Sequence, residues 1–195
     1  MKVSVLLLFA ALTLSAADEY TLYDLLPPST HSFAIVYDVT ANRAGAPYFF
    51  NPIRVGSTAS KESVIDRATG KPLEFETVDG KTAKTGGGVS ARTADNALFL
   101  RVTLANPVPK DGESRIRIFK TYTDAPSYYE KENTLVFDRP LGIKRNEVIL
   151  PKGYELVATG APAMVSLEAD GRIHVSFLND RDDQLPVRIV GRKLP

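Results

Sequence analysis

Few residue types in this chain can do chemistry, and their spacing narrows the choice further. There are two histidines, His31 and His174, and no cysteine. Folding could bring two imidazoles together on a metal, but neither histidine has the neighbours of the zinc-hydrolase pattern H-E-x-x-H. Asp180, Asp182 and Asp183 crowd one short segment, NDRDD, with oxygens of the kind that coordinate calcium. That segment lacks the turn glycine and the distal bidentate glutamate of an EF-hand loop. A solvated turn is the expectation, with an irregular calcium site as the alternative. Nucleophilic catalysis needs an activated side chain beside a base and an oxyanion hole. The chain has no G-x-S-x-G and no S-x-x-K, and Gly86-Gly87-Gly88 lacks the Gly-Lys-Ser/Thr ending of a phosphate loop. Paired carboxylates of the glycosidase kind are brought together only by folding, and no pair is marked out. No catalytic residue and no cofactor are assigned.

Tyrosine is the remaining candidate. Tyr122, Tyr128 and Tyr129, with Tyr20 and Tyr23 elsewhere, could present an amphipathic surface to a protein or glycan partner. The competing reading packs them over a seam of the fold. The absence of tryptophan argues against a carbohydrate-stacking platform.

The elements that must position these residues are short. From Thr134 to Phe177, apolar runs at 135–137, 148–150, 156–158, 164–167 and 173–177 are cut apart by Pro140-Leu141-Gly142, Pro151-Lys152-Gly153, Gly160-Ala161-Pro162 and Asp170-Gly171. Ser32 to Thr40 alternates, with Phe33, Ile35, Tyr37 and Val39 on one face. Segments 97–104 and 114–122 are further strands. In the second, Ile116, Ile118 and Tyr122 share an apolar side that Lys120 interrupts. Segment 18–30 is expected to be an extended lead-in, 51–63 a loop, 64–78 a hairpin turning at Asp66–Pro72, 81–96 a mobile surface loop, and 186–190 a closing strand. The fold expected is an all-β antiparallel sandwich, in one or two packed layers, without substantial helix. One domain is expected over 18–195, with an internal seam at 123–133.

Lys2, the apolar run Val3–Leu14 and the small residues Ser15-Ala16-Ala17 have the layout of a secretory signal peptide cleaved after Ala17. That run is shorter than the roughly 20 residues a membrane-spanning helix needs, so no membrane span is expected. The remaining 178 residues carry 23 basic and 23 acidic groups. Such balance offers no footprint for nucleic acid. An exported chain without cysteine must be stabilised by packing alone.

The lead-in ending in SFAIVYDV (32–39), the segment DRATGKPL (66–73) and the stretch RNEVILPKGY (145–154) together resemble exported bacterial β-sandwich proteins. Their layout is similar to the non-catalytic N-terminal β-sandwich region of M1-type zinc aminopeptidases. The resemblance implies a sandwich fold and, with H-E-x-x-H absent, carries over no catalytic residue. The function expected is an exported, non-enzymatic module for protein interaction or assembly, in the periplasm or outside the cell. The alternative is a hydrolase or carbohydrate-binding protein with a site built from loops around Gly86 and Tyr128.

Overall fold

The computed structural model describes residues 19–195, so the expected signal peptide lies outside the described residues. The strands, in chain order, are β1 (Tyr20–Leu25), β2 (Ser32–Ala41), β3 (Tyr48–Ile53), β4 (Thr58–Asp66), β5 (Phe75–Asp79), β6 (Leu98–Thr103) and β7 (Ser114–Thr123). They continue as β8 (Tyr128–Lys131), β9 (Thr134–Leu141), β10 (Arg145–Ile149), β11 (Tyr154–Thr159), β12 (Met164–Leu167), β13 (Ile173–Leu178) and β14 (Leu185–Lys193). A seven-stranded sheet runs β12-β13-β10-β1-β2-β7-β4, beside a four-stranded sheet β11-β14-β9-β8 and a three-stranded sheet β3-β6-β5. Pairing is antiparallel except where β1 lies parallel to β10. This is the all-β sandwich expected, with two small sheets sharing one large one.

Side-chain parity makes that arrangement possible. Phe33, Ile35, Tyr37, Val39 and Ala41 on β2, and Ile116, Ile118, Lys120 and Tyr122 on β7, point to one face of the large sheet. Phe33, Ile35 and Tyr122 join Leu135, Phe137 and Ile189 of the four-stranded sheet in a first core. Its centre is Phe33, whose ring meets Phe137 edge-on at 5.6 Å. Val39, Ala41, Ile116 and Ile118 join Leu100 and Val102 of the three-stranded sheet in a second core. Tyr37 packs against both. A third, small core of Phe50, Val78, Ala83 and Phe99 lies under a short helix α1 (Gly80–Thr85). Asp79 caps that helix by accepting the Thr82 amide at 2.8 Å.

The five short runs between Thr134 and Phe177 are β9 to β13, as their punctuation predicts. Four other readings need correction. Segment 51–63 is not a loop, because β3 ends in it and β4 begins in it. Its polar composition reflects a sheet edge, where β4 is irregular between Ser60 and Ser63 and Lys61 has φ 54°. The expected hairpin at 64–78 closes with a single bridge, Ile65 to Pro72, after which β4 and β5 part to different sheets. The loop at 81–96 begins as α1. Gly86 and Gly88 fit against Phe50, where a Cβ at Gly88 would sit 2.0 Å from the ring, and Gly87, at φ 66°, lies against Arg43. Finally, the lead-in is extended only over Tyr20–Leu25, where it forms β1, an inner strand of the large sheet, and it ends in a helical turn at Pro28–Thr30. Segment 123–133 carries the chain from the seven-stranded sheet into β8 of the four-stranded one. There Glu132 and Asn133, at φ 53° and 63°, form a two-residue turn into β9.

Parity on β13 gives a direct test. Phe177 is 3% exposed in the first core, whereas the next residue, Leu178, is 70% exposed. Phe177→Ala is expected to cost about 3–5 kcal/mol and Leu178→Ala less than about 0.5 kcal/mol in urea unfolding. Comparable losses at the two positions would contradict the strand's assigned faces.

Candidate functional site

The inner face of the large sheet stays open between its two covering sheets as a cleft of about 470 Å³. Its floor comes from Thr21 and Tyr23 on β1, Ile35 and Tyr37 on β2, and Lys120 and Tyr122 on β7. Asn51, Pro52 and Arg54, at the end of β3, make one wall. Arg139 and Pro140 of β9, with Ile143 and Gln184, make the other.

Lys120 is the unusual group here. Alternation on β7 turns it inward, and it is 7% exposed. Its ammonium donates to Asn51 Oδ1, lies 3.4 Å from the Tyr122 hydroxyl and 4.7 Å from the centroid of the Tyr122 ring. Burial, with the Arg139 charge adding to it, pushes its pKa down to about 8. Arg139 is also buried, but it has a counter-ion: its Nη1 donates to Asp124 Oδ2 at 2.8 Å. Its guanidinium lies 5.5 Å from the centroids of both Phe33 and Tyr122. Burial disfavours the Asp124 charge, but hydrogen bonds from Ser127 and Ser57 and the Arg139 charge outweigh it and hold the carboxyl below its usual range. This pair ties β9 of one sheet to the end of β7 in another.

The residues singled out from the sequence are dispersed. Tyr122 lies in the cleft floor with its ring buried. Tyr128 is fully buried in the first core, its hydroxyl donating to the Leu26 carbonyl at 2.5 Å, and Tyr129 is half-buried on β8. Tyr122 and Tyr128 therefore do not form an exposed binding surface, because alternation sends both into the core. In the acidic turn, Arg181 holds the Asp183 carboxylate at 2.5 and 3.0 Å, and the Asn179 side chain donates to the Asp183 carbonyl at 2.8 Å. Among the described residues no group of three or more acidic or histidine side chains is arranged to hold a metal ion.

His31 Nδ1 lies 3.0 Å from the Tyr128 carbonyl. His174 is half-buried between two carboxylates: Nδ1 is 2.7 Å from Glu168 Oε1, and Nε2 is 3.1 Å from Glu147 Oε2. Glu147 in turn accepts the Tyr20 hydroxyl. A loop site around Gly86 and Tyr128 is not assembled, since Gly86 packs on Phe50 of the third core and Tyr128 belongs to the first.

The sequence matches no protein-family model and no curated protein sequence. Solved structures do share the fold. The chain is similar to an M1 zinc metallopeptidase from Deinococcus radiodurans, with a TM-score of 0.53 and 12% identity, over 89% of this chain and 41% of that one. It is similar also to an aminopeptidase N family protein from Idiomarina loihiensis, with a TM-score of 0.50 and 10% identity, over 88% of this chain and 29% of that one. The chain thus spans about two fifths of the length of the first of these. At such identities the likeness is one of fold, and it is the fold that the resemblance to the M1 N-terminal β-sandwich region implied.

The buried lysine makes stability depend on pH. The folded state holds the Lys120 proton more weakly than the unfolded chain does, so the unfolded state binds more protons between about pH 8 and pH 10 and stability rises across that window. Lys120→Met removes this dependence. Its stability relative to the unsubstituted protein is expected to be about 2–3 kcal/mol more favourable at pH 7 than at pH 10, whatever the pH-independent cost of leaving Asn51 unpaired. Urea unfolding at the two pH values measures this, and an identical difference at both would mean that Lys120 is not desolvated.

Proposed function

We propose that this chain is an exported, non-enzymatic β-sandwich module that binds a protein partner in the cell envelope or outside the cell. The observation that carries the reading is the outer edge of the large sheet. On β12, Val165 and Leu167 are exposed on one face and Met164 on the other, where Leu178 of neighbouring β13 adds a fourth exposed apolar side chain. Exposed apolar side chains clustered on an unpaired strand edge are what a sheet needs in order to accept a further strand, the edge supplying hydrogen bonds and the side chains the apolar contact. The opposite edge differs. There β4 is broken by its irregular stretch and carries Lys61, features that discourage strand addition.

The partner that fits is a protein offering an extended, apolar segment that pairs with β12. The signal-peptide layout of residues 1–17 supports export, and the missing H-E-x-x-H supports a role without peptidase chemistry. The test uses the full chain in the cells that make it, with a photo-crosslinking residue at Leu167 and, as the comparison, at Val157, an exposed apolar residue on the four-stranded sheet. The expected outcome is a mature protein beginning at Asp18 that forms one discrete protein adduct from position 167, lost when Val165→Lys is added. A mature protein that keeps Met1, or the same adducts from both positions, would overturn the proposal.

A further inference from the structure

The cleft between the two small sheets has the composition of a binding site for an anion, independent of the β12 edge. Three cationic side chains, Arg54, Lys120 and Arg139, line it, and among the described residues no carboxylate does. Arg139 is neutralised by Asp124, whereas Lys120, at 7% exposed, is met by an amide oxygen, a tyrosine hydroxyl and a ring face. An ammonium has three donors, and a neutral amide cannot balance its charge. A second, separate feature points the same way. Thr21 is 3% exposed in the cleft floor, and its hydroxyl has no hydrogen-bond partner among the described residues. A buried cation with no carboxylate in contact, on which Glu62 acts only at a distance, is a cost that a bound anion would remove, and the orphaned hydroxyl in the same cleft is one that a polar ligand atom would remove.

The rest of the lining decides which anion. Ile35, Tyr23, Tyr37, Tyr122 and Ile143 give the cleft apolar and aromatic surface. Of its cations only Lys120 is buried without a carboxylate in contact, Glu62 acting on it only at a distance, which suits a single negative charge. We propose that the cleft binds a monocarboxylate on an apolar body, the carboxylate meeting the Lys120 ammonium while the body lies against Tyr23 and Tyr37. Arg54, exposed at the mouth, steers the anion inward. Bound carboxylate stabilises the charged form of Lys120, whose pKa burial otherwise lowers.

Such a carboxylate can come from a free small acid or from the carboxy terminus of a peptide. Calorimetric titration of the folded protein with phenylacetate and with the tripeptide Gly-Gly-Phe separates the two, with methyl phenylacetate and Gly-Gly-Phe amide as uncharged counterparts. Saturable binding of either acid is expected, at least about tenfold tighter than its neutral counterpart. Lys120→Met should weaken it by about tenfold or more, and Arg54→Gln, a surface change that leaves the fold intact, by about two- to fivefold. Preference for phenylacetate would assign the site to small acids, and preference for the tripeptide to peptide termini. The proposal is overturned if neither acid binds, if the ester or amide binds equally well, or if inorganic phosphate competes as effectively as the carboxylates. It is overturned also if folded Lys120→Met and Arg54→Gln both bind as the unsubstituted protein does.

Discussion

The structure depends on one constraint: β2 and β7 are each ten residues long, and they present a single inner face along all of that length. A face alternating Phe33, Ile35, Tyr37, Val39 and Ala41 has to be kept from water from one end to the other. One small sheet does not reach. The chain therefore covers the face twice, with β9 and β14 over Phe33 and Tyr122 and with β6 over Val39 and Ile116. Two covers over one floor leave a line of discontinuity between them, which is where Tyr37, Lys120, Asn51 and the cleft are found. The candidate binding site is a consequence of how the core is divided.

Polar groups near that discontinuity fasten the layers. Asp124, just past β7, accepts from Arg139 of β9, which no ladder connects to β7, and from Ser57 just before β4, the strand that pairs with β7. On the opposite face of the large sheet, buried Asp38 of β2 is held by Arg117 of β7 at 2.6 and 2.8 Å and by Arg67 at 2.8 Å. These hydrogen bonds and charges keep its carboxyl below the usual range although burial acts against them. Buried ion pairs of this kind contribute little net stability beyond an apolar alternative, but losing one partner is costly, so they fix which strands lie together. The cluster of Tyr20, Glu147, His174 and Glu168 does the same for β1, β10 and β13.

Much of the fold was legible because period-two alternation and turn residues act locally. The runs at 135–137, 148–150, 156–158, 164–167 and 173–177 needed only their Pro and Gly boundaries to be recognised as strands. What failed was non-local. Nothing in DRATGKPL (66–73) says that the strands on either side will leave for different sheets, since that choice is made by Val64 packing on Ile118 and Val78 packing on Phe99. The parallel contact of β1 with β10 joins residues more than a hundred positions apart and has no local signal. For the site, tyrosine content drew attention to residues that alternation buries. The informative residue was Lys120, a charge on the apolar parity of β7. A lysine there is either at a sheet end in water or at a gap between covering layers, and only the three-dimensional arrangement tells which.

If β2 and β7 bind both cores into one unit, the halves of the molecule cannot open separately. Native-state hydrogen exchange tests this on β7, which is paired on both sides. The slowest amides in its 115–118 half, under the three-stranded sheet, and in its 119–122 half, under the four-stranded sheet, should share one opening free energy equal to that of global unfolding. Weakening the second core with Val102→Ala should lower both by the same amount. A variant in which the 115–118 amides open alone, while the 119–122 amides keep their protection, would show two independently stable sandwiches and contradict the single shared floor.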